Sequence, residues 1–520
     1  MDNKKNINDD SSMVCKDEIE VKNEKYQIKQ QSLKKNFAFQ IIYQIILLLL
    51  PFVTNGYITR VLGDTNLGNY NYAYSIASYF VLFGMLGIAT HGQRVIATSK
   101  KDPINLRKAF WSLFYGHIAS SIVAIVAYLV FVTFFVKDEQ QLYFVLSFFV
   151  LSSLFDITWL YSGLENFKIV VIRNLLIRAV ATACLFIFVK TKNDIIIYTW
   201  ITSLASLLGN AFLLPSAIKA IKPIKVSIRE CFQHTKPILL YFAVAVAITL
   251  YTVFDKTLLG IFTTKEDVAY YTYADKIVAI PRSIIGAIGT VMFPRACALV
   301  QENNIDDAKK YVRYSVVVTC FLGFGSMFGM LGIGQDFCTI YYGEEFAESG
   351  NMLLWMSPIP LIICLGDVVR MQYMIPKKMD RVFTIIIFGN AAVNLLLSAI
   401  LIPVLGPYGV IVGTLSAEFV GAFVEIIISR KILSLKELVI KALPFAIIGG
   451  IMFAFIILLR SLLVSSILSL IVIILSALVL YSLLSFLYII FIDSDNRTYR
   501  AFISNILTKM HLKTKQVKGD

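Results

Sequence analysis

The sequence predicts an all-α, polytopic membrane protein. About fourteen transmembrane helices are expected, as two parallel six-helix repeats (helices 1–6 and 7–12) around a central cavity plus two extra C-terminal helices. Three observations carry this expectation. Hydrophobic residues make up 57% of the 520 and charged residues only 16%, against about 25% charged in soluble domains. Apolar segments long enough for a hydrocarbon core of about 30 Å recur along the whole length. A pattern in the first hairpin also returns at a constant offset of 201 residues in the seventh and eighth segments.

Residues 1–35 are polar and rich in Lys, Asp and Asn. They read as a disordered cytoplasmic tail, since no early apolar core marks a signal peptide. Six apolar segments follow, at 37–58, 69–92, 109–136, 141–163, 171–189 and 194–215, giving an N-terminal lobe over 36–216. A cytoplasmic linker is expected at 217–236. The second lobe, 237–430, contains segments 237–261, 268–292, 312–334, 352–374, 382–403 and 408–429. Two more, 442–460 and 465–492, occupy 431–492, and a basic cytoplasmic tail closes the chain at 493–520.

Orientation follows from the loops. With the N-terminus in the cytoplasm and basic residues at span ends assigned to the adjoining loops, 37 of the 48 Lys and Arg fall in cytoplasmic segments, 6 in external ones and 5 within spans. The positive-inside rule selects that arrangement, and an even number of spans puts both termini on the cytoplasmic side of the cell membrane. The net charge of +14 is accounted for by this asymmetry, so no nucleic-acid partner is expected. Seven scattered cysteines and four dispersed histidines give no metal-ligand spacing, and no cofactor is expected. No G-x-x-x-x-G-K-[ST] motif is present, which disfavours ATP-driven transport by this chain alone. Every loop is short, so function has to lie among the helices, and an enzyme is not expected.

The repeat is specific in position. Tyr70, Tyr72, Ala73, Ile76, Arg94 and Ala97 match Tyr271, Tyr273, Ala274, Ile277, Arg295 and Ala298. Copies separated by six spans have the same orientation. Their pseudo-two-fold axis then runs along the membrane normal, and transporters built this way place substrate near the midplane of the repeat interface. The copies differ in charge: where the first has Tyr74 and Ser75, the second has Asp275 and Lys276.

Ionisable residues inside a span cost about 2.5–3.5 kcal/mol each on insertion scales, so they pair or face a cavity. Asp255 and Lys256 in helix 7 and Asp275 and Lys276 in helix 8 stand near one end of an antiparallel hairpin, where Asp255 and Lys276 would come close. They read equally as a structural ion pair or as a charged cavity wall. Arg282 follows Pro281, which is expected to kink helix 8. Asp156 in helix 4, Arg178 in helix 5, Asp367 and Arg370 in helix 10, and Glu418 and Glu425 in helix 12 complete the set. Asp367 and Arg370 are three apart and share a helix face, while Glu418 is a candidate for cation coupling. Arg60, Arg94 and Arg295 sit at helix ends, and Arg94 and Arg295 read as snorkelling anchors. His117 reads as a histidine satisfied at a helix interface. Pro51 is expected to kink helix 1. Gly325-x-x-x-Gly329 and Gly409-x-x-x-Gly413 read as close helix-packing positions. Tyr70, Tyr72, Tyr271 and Tyr273 are either an interfacial aromatic belt or polar cavity walls.

Several motifs, in order, resemble the Wzx-type flippases, the polysaccharide transporter branch of the multidrug/oligosaccharidyl-lipid/polysaccharide (MOP) exporter superfamily. They are R-V-L-G at 60–63, G-x-Y-x-Y-A-Y-S-I at 68–76, F-x-x-L-G-I at 83–88 and Q-R-x-I-A at 93–97. Y-S-G-L-E-x-F-K at 161–168, D-K-x-L-L-G at 255–260 and Y-x-Y-A-x-K-I at 271–277 follow. The resemblance covers about 36 to 490. It implies movement of undecaprenyl-diphosphate-linked oligosaccharide repeat units between leaflets by alternating access coupled to an ion gradient. Substrate contacts are then expected at Lys276, Arg282, Arg178, Arg370 and Arg60. Ion coupling or charge pairing is expected at Asp255, Lys256, Asp275, Asp156, Asp367 and Glu418. The partners implied are the lipid-linked oligosaccharide, membrane lipid, glycosyltransferases and a polysaccharide polymerase. The alternatives are a cation-coupled multidrug exporter of the same superfamily and a membrane scaffold for the assembly machinery.

Overall fold

The structure is a computed structural model that describes residues 33–491 apart from 303 and 465. The basic tail at 493–520 and all but the last residues of the tail at 1–35 lie outside that range. Among the described residues the regular structure is entirely helical. Ten helices are long and apolar enough to cross a membrane, or up to twelve if each of two bent pairs counts as one span. One of them, Leu50–Ser99, carries two expected segments, and Thr235–Phe262 adds a 28-residue helix at the seventh. Each of the fourteen expected segments therefore falls on helix. The chain divides into two compact units, Met1–Thr257 and Leu258–Asp520.

In the first unit, α1 (Leu33–Met85) is interrupted at Gly63, whose φ of 77° favours glycine. Pro51 lies inside α1, and the non-helical residue that divides it is Gly63. α2 (Ile88–Ser99) and α3 (Pro103–Phe135) follow, the latter capped by Asp102, which accepts from Ile104 N at 2.9 Å. The expected fourth span is two pieces, α4 (Gln140–Ser152) and α5 (Thr158–Gly163). Backbone groups freed by a break inside a membrane need partners from the protein. α3 supplies them: His117 Nε2 donates to the Ser153 carbonyl at 2.8 Å, and Ser120 Oγ donates to the Gly84 carbonyl, at the end of α1, at 2.7 Å. The unit continues through α6 (Phe167–Phe188), α7 (Ile195–Ala211), α8 (Leu214–Ala220), α9 (Ile228–Phe232) and α10 (Thr235–Phe262). Its core joins Phe110, Trp111, Phe114, Trp159 and Tyr161 to Leu213, Ala217 and Ile221, so the segment after the sixth span is part of the packing.

The second unit opens with α11 (Lys265–Gln301), capped by Thr264 in a capping box with Asp267. α11 bends by 43° between Ala287 and Met292. Proline disrupts the turn reaching back four residues, so Pro294 is the cause and Pro281 is not. α12 (Ile305–Tyr342) is followed by α13 (Ala347–Met356) and α14 (Ile359–Val369), set 41° apart across Ser357–Pro358, and by a π-helical turn at Arg370–Met374. α15 (Asp380–Leu405) and α16 (Pro407–Ile428) form a tight hairpin. A Cβ on Gly409 would stand 2.5 Å from Leu401 C, and one on Gly413 would stand 2.3 Å from Ser398 Oγ. Gly325 closes on the Tyr481 ring, whereas Gly329 faces open space.

The helices outside the repeat, α17 (Leu435–Leu462) and α18 (Ile467–Phe491), dock on α12. Gly332 meets Ile456, Gly449 meets Phe328, and Tyr481 OH donates to the Phe321 carbonyl at 2.7 Å. Arg460 holds Asp336 at 2.6 Å, and Arg313 pairs with Glu437.

The repeat extends beyond the matched letters. At the offset of 201, Gly63 corresponds to Thr264, Gly87 to Ile288 and Asp156 to Ser357. Each of these positions is a helix boundary or a bend in its own unit.

Candidate functional site: intramembrane charge in each unit

The first unit contains a cavity of about 490 Å³. Its walls come from α1 at Pro51 and Thr54, the α4–α5 break at Ser152 and Asp156, α6 at Arg173, Asn174 and Arg178, and α7 at Thr202, Ser206 and Asn210. The four-residue spacing on α7 puts these three polar residues on one face of the helix. Asn210 is used twice: its Oδ1 accepts from Arg173 Nη1 at 3.1 Å, and its Nδ2 donates to the Ser152 carbonyl at 3.0 Å. Asp156 sits at the break, where it accepts from Thr158 N at 3.0 Å and Oγ1 at 2.6 Å. It thus holds the first residue of α5 as well as lining the cavity. Arg178 is exposed on the same lining and acts electrostatically on Tyr74. Two guanidinium groups against one carboxylate leave the cavity net positive, in surroundings that strengthen its hold on an anion. The amides and hydroxyls match sugar hydroxyls, which both donate and accept.

Other expected residues of this unit lie elsewhere. Asp255 is buried on α10 and acts on Tyr79, while Thr257 hydrogen-bonds Tyr79 at 2.9 Å and Ser75 at 3.2 Å. Lys256 is half-buried, and Arg60 is exposed three residues before the Gly63 break. Tyr70 is buried and donates to Thr202 at 3.2 Å.

In the second unit an ion cluster lies between α14, the π turn and α16. Arg370 Nη1 meets Asp367 Oδ1 at 2.7 Å, and its Nε meets Glu425 Oε1 at 2.9 Å. Glu425 is fully buried and leaves no room opposite, since a Cβ on Gly366 would stand 2.6 Å from Oε2. Arg282 on α11 acts electrostatically on Asp367. Glu418 is buried two turns before Glu425 on α16. Asp275 and Lys276 are half-buried on α11, and the Lys276 ammonium rests 3.9 Å from the Tyr273 ring centroid, a cation–π contact. Tyr271 and Tyr273 are buried within the bundle.

The structure therefore groups Arg178 with Asp156, and Arg282 with Asp367 and Arg370. Sequence reasoning missed Arg173, Asn174 and Asn210, and it did not join Glu425 to Arg370. Arg173 lies near the start of its span, where a basic residue reads as an anchor. The polar stripe on α7 was the available signal for that wall.

A family model described as polysaccharide biosynthesis protein matches residues 33–300. A curated protein of Escherichia coli named for O-antigen transport is 24% identical over 373 residues, covering 70% of this chain and 89% of its own length. The inward closed structure of the lipid II flippase MurJ superposes with a TM-score of 0.71 at 17% identity, covering 87% of this chain and 99% of that one. An inward-facing multidrug resistance MATE family transporter of the MOP superfamily gives a TM-score of 0.57 at 14% identity, covering 79% and 95%. The chain shares the all-helical fold of these two structures and belongs to the polysaccharide biosynthesis protein family.

Proposed function

We propose that this protein is a flippase that moves undecaprenyl-diphosphate-linked oligosaccharide repeat units across the cytoplasmic membrane for cell-surface polysaccharide assembly, with both termini in the cytoplasm. The observation that carries the reading is the net-positive, hydroxyl- and amide-lined cavity holding Arg173 and Arg178 within the first unit. A diphosphate needs cations in a low-dielectric site, and a sugar needs mixed donors and acceptors. Family membership and the relative named for O-antigen transport point the same way. Lys276 and Arg282 are proposed as further substrate contacts. Glu418, with Asp367, is proposed to couple transport to an ion gradient through its buried carboxylate. Glycosyltransferases and a polymerase are the protein partners such a flippase would serve.

The test is complementation. In a strain lacking this gene, the wild-type chain restores surface polysaccharide, while Arg178→Ala, Lys276→Ala and Arg282→Ala at native expression restore it poorly. Full restoration by all three variants would overturn the cationic-site assignment. Loss of drug resistance with intact polysaccharide in the deletion strain would overturn the flippase reading itself.

A further inference from the structure

The segment joining the sixth and seventh spans is held against the first unit at many points. Ile221 is buried in the aromatic cluster, and Ile224 and Val226 pack on it. Trp111 Nε1 donates to the Lys222 carbonyl at 3.2 Å. Ser227 and Glu230 close a capping box on α9, and Glu230 also lies 4.0 Å from Lys108 Nζ. His234 is engaged at both ring nitrogens, by His91 at 3.1 Å and Ser112 at 3.1 Å. A segment fixed in this way cannot turn to hide its remaining side chains. Even so, Ile228 and Phe232, four apart and hence on one face of α9, are 76% and 67% exposed. Lys222, Lys225, Arg229 and Lys236 are exposed around them.

We infer that this linker face is a docking surface for anionic lipid. Ile228 and Phe232 enter the headgroup–acyl boundary, and Lys222, Lys225, Arg229 and Lys236 hold lipid phosphates. The chemistry is that of interfacial helices, which combine apolar insertion with attraction of cations to an anionic leaflet. Both flanks of the segment run into membrane helices, so its outward face lies at headgroup level. Of the nearby acids, Glu230 is engaged by its cap and by Lys108, and Asp102 by the backbone N–H groups of Ile104 and Asn105, which leaves the outward charge positive. This complementarity favours an anionic leaflet over a protein partner. The inference rests on the reading of α7 and α10 as membrane spans and is independent of the transported substrate.

The test uses the full chain reconstituted in vesicles of brominated phosphatidylcholine, with or without phosphatidylglycerol. Phe232→Trp is read as emission in excess of the parent's four tryptophans. The expected result is a blue-shifted emission that loses most of its intensity to the bromolipid. The loss should be stronger with phosphatidylglycerol. It should weaken when Lys222, Lys225, Arg229 and Lys236 are all changed to Gln. Unquenched emission in both vesicles would overturn the inference and leave the face to a protein partner. Equal quenching with and without phosphatidylglycerol, unchanged in the Gln variant, would overturn the role of the charges. No transport is measured, so failure of the flippase reading would leave this result standing, and the reverse also holds.

Discussion

At the scale of single residues, the charges inside the membrane divide by what surrounds them. Arg370 is matched within its own unit by Asp367 and by the fully buried Glu425. Removing one member of a buried ion pair strands the other, at a cost on the order of 3 kcal/mol. Arg370→Ala should therefore lower the thermal unfolding midpoint in detergent markedly, and Glu425→Gln less so. An Arg370→Ala protein as stable as the parent would contradict a structural duty for that guanidinium. Arg178, on an open cavity wall, should behave oppositely: Arg178→Ala leaves the unfolding midpoint nearly unchanged and reduces transport. His234 gives a pH signature outside the spans. Burial, and after it the neighbouring His91, hold its imidazole below the ordinary histidine value of 6.5. The unfolded chain then takes up the proton more readily, so this stabilisation is present above about pH 6.5 and is lost as the pH falls below it. Hydrogen exchange across 228–242 should rise, relative to the intrinsic rate, between pH 7.5 and 5.5 for the parent. His234→Gln should remove most of that dependence.

At the scale of elements, breaks matter more than spans. The spans were legible because a helix rises about 1.5 Å per residue and must cover the hydrocarbon with apolar side chains. The α4–α5 break was not, because Phe155-Asp156-Ile157-Thr158 contains neither Gly nor Pro. One contact there is tertiary, His117 donating to the Ser153 carbonyl, and one is local, Asp156 accepting from Thr158 N in the first turn of the helix that follows. His117→Ala should cost about 1 kcal/mol for one lost hydrogen bond, since the Ser153 carbonyl keeps the Asp156 N–H at 3.1 Å. Its measurement is thermal unfolding, and an unchanged midpoint would show that the His117 bond does not hold the break. Two further breaks were not singled out in the sequence: the first hairpin turns at Gly63, and α11 bends beside Pro294.

At the scale of the whole molecule, the duplication was readable from six matched residues, and the backbone extends it. Breaks at Gly63, Gly87 and Asp156 recur at Thr264, Ile288 and Ser357, positions where the letters themselves do not match. Backbone geometry has outlasted side-chain identity between the copies. The charges have not been kept in parallel: the first unit keeps an open, net-positive cavity, and the second holds a largely neutralised ion cluster. The pairing of Arg370 with Glu425, 55 residues apart, could not be read from spacing, because helical periodicity reports only neighbours within a turn or two. The central claim is that this chain translocates a lipid-linked oligosaccharide by means of those cations. It is tested most directly in proteoliposomes holding the purified protein and a fluorescent undecaprenyl-diphosphate-linked oligosaccharide, with outer-leaflet access read by a membrane-impermeant quencher. The account predicts protein-dependent exchange between leaflets, slowed about tenfold or more in Arg178→Ala, as the loss of a charge-assisted contact implies. Exchange no faster than in protein-free vesicles, or equally fast in the variant, would contradict it.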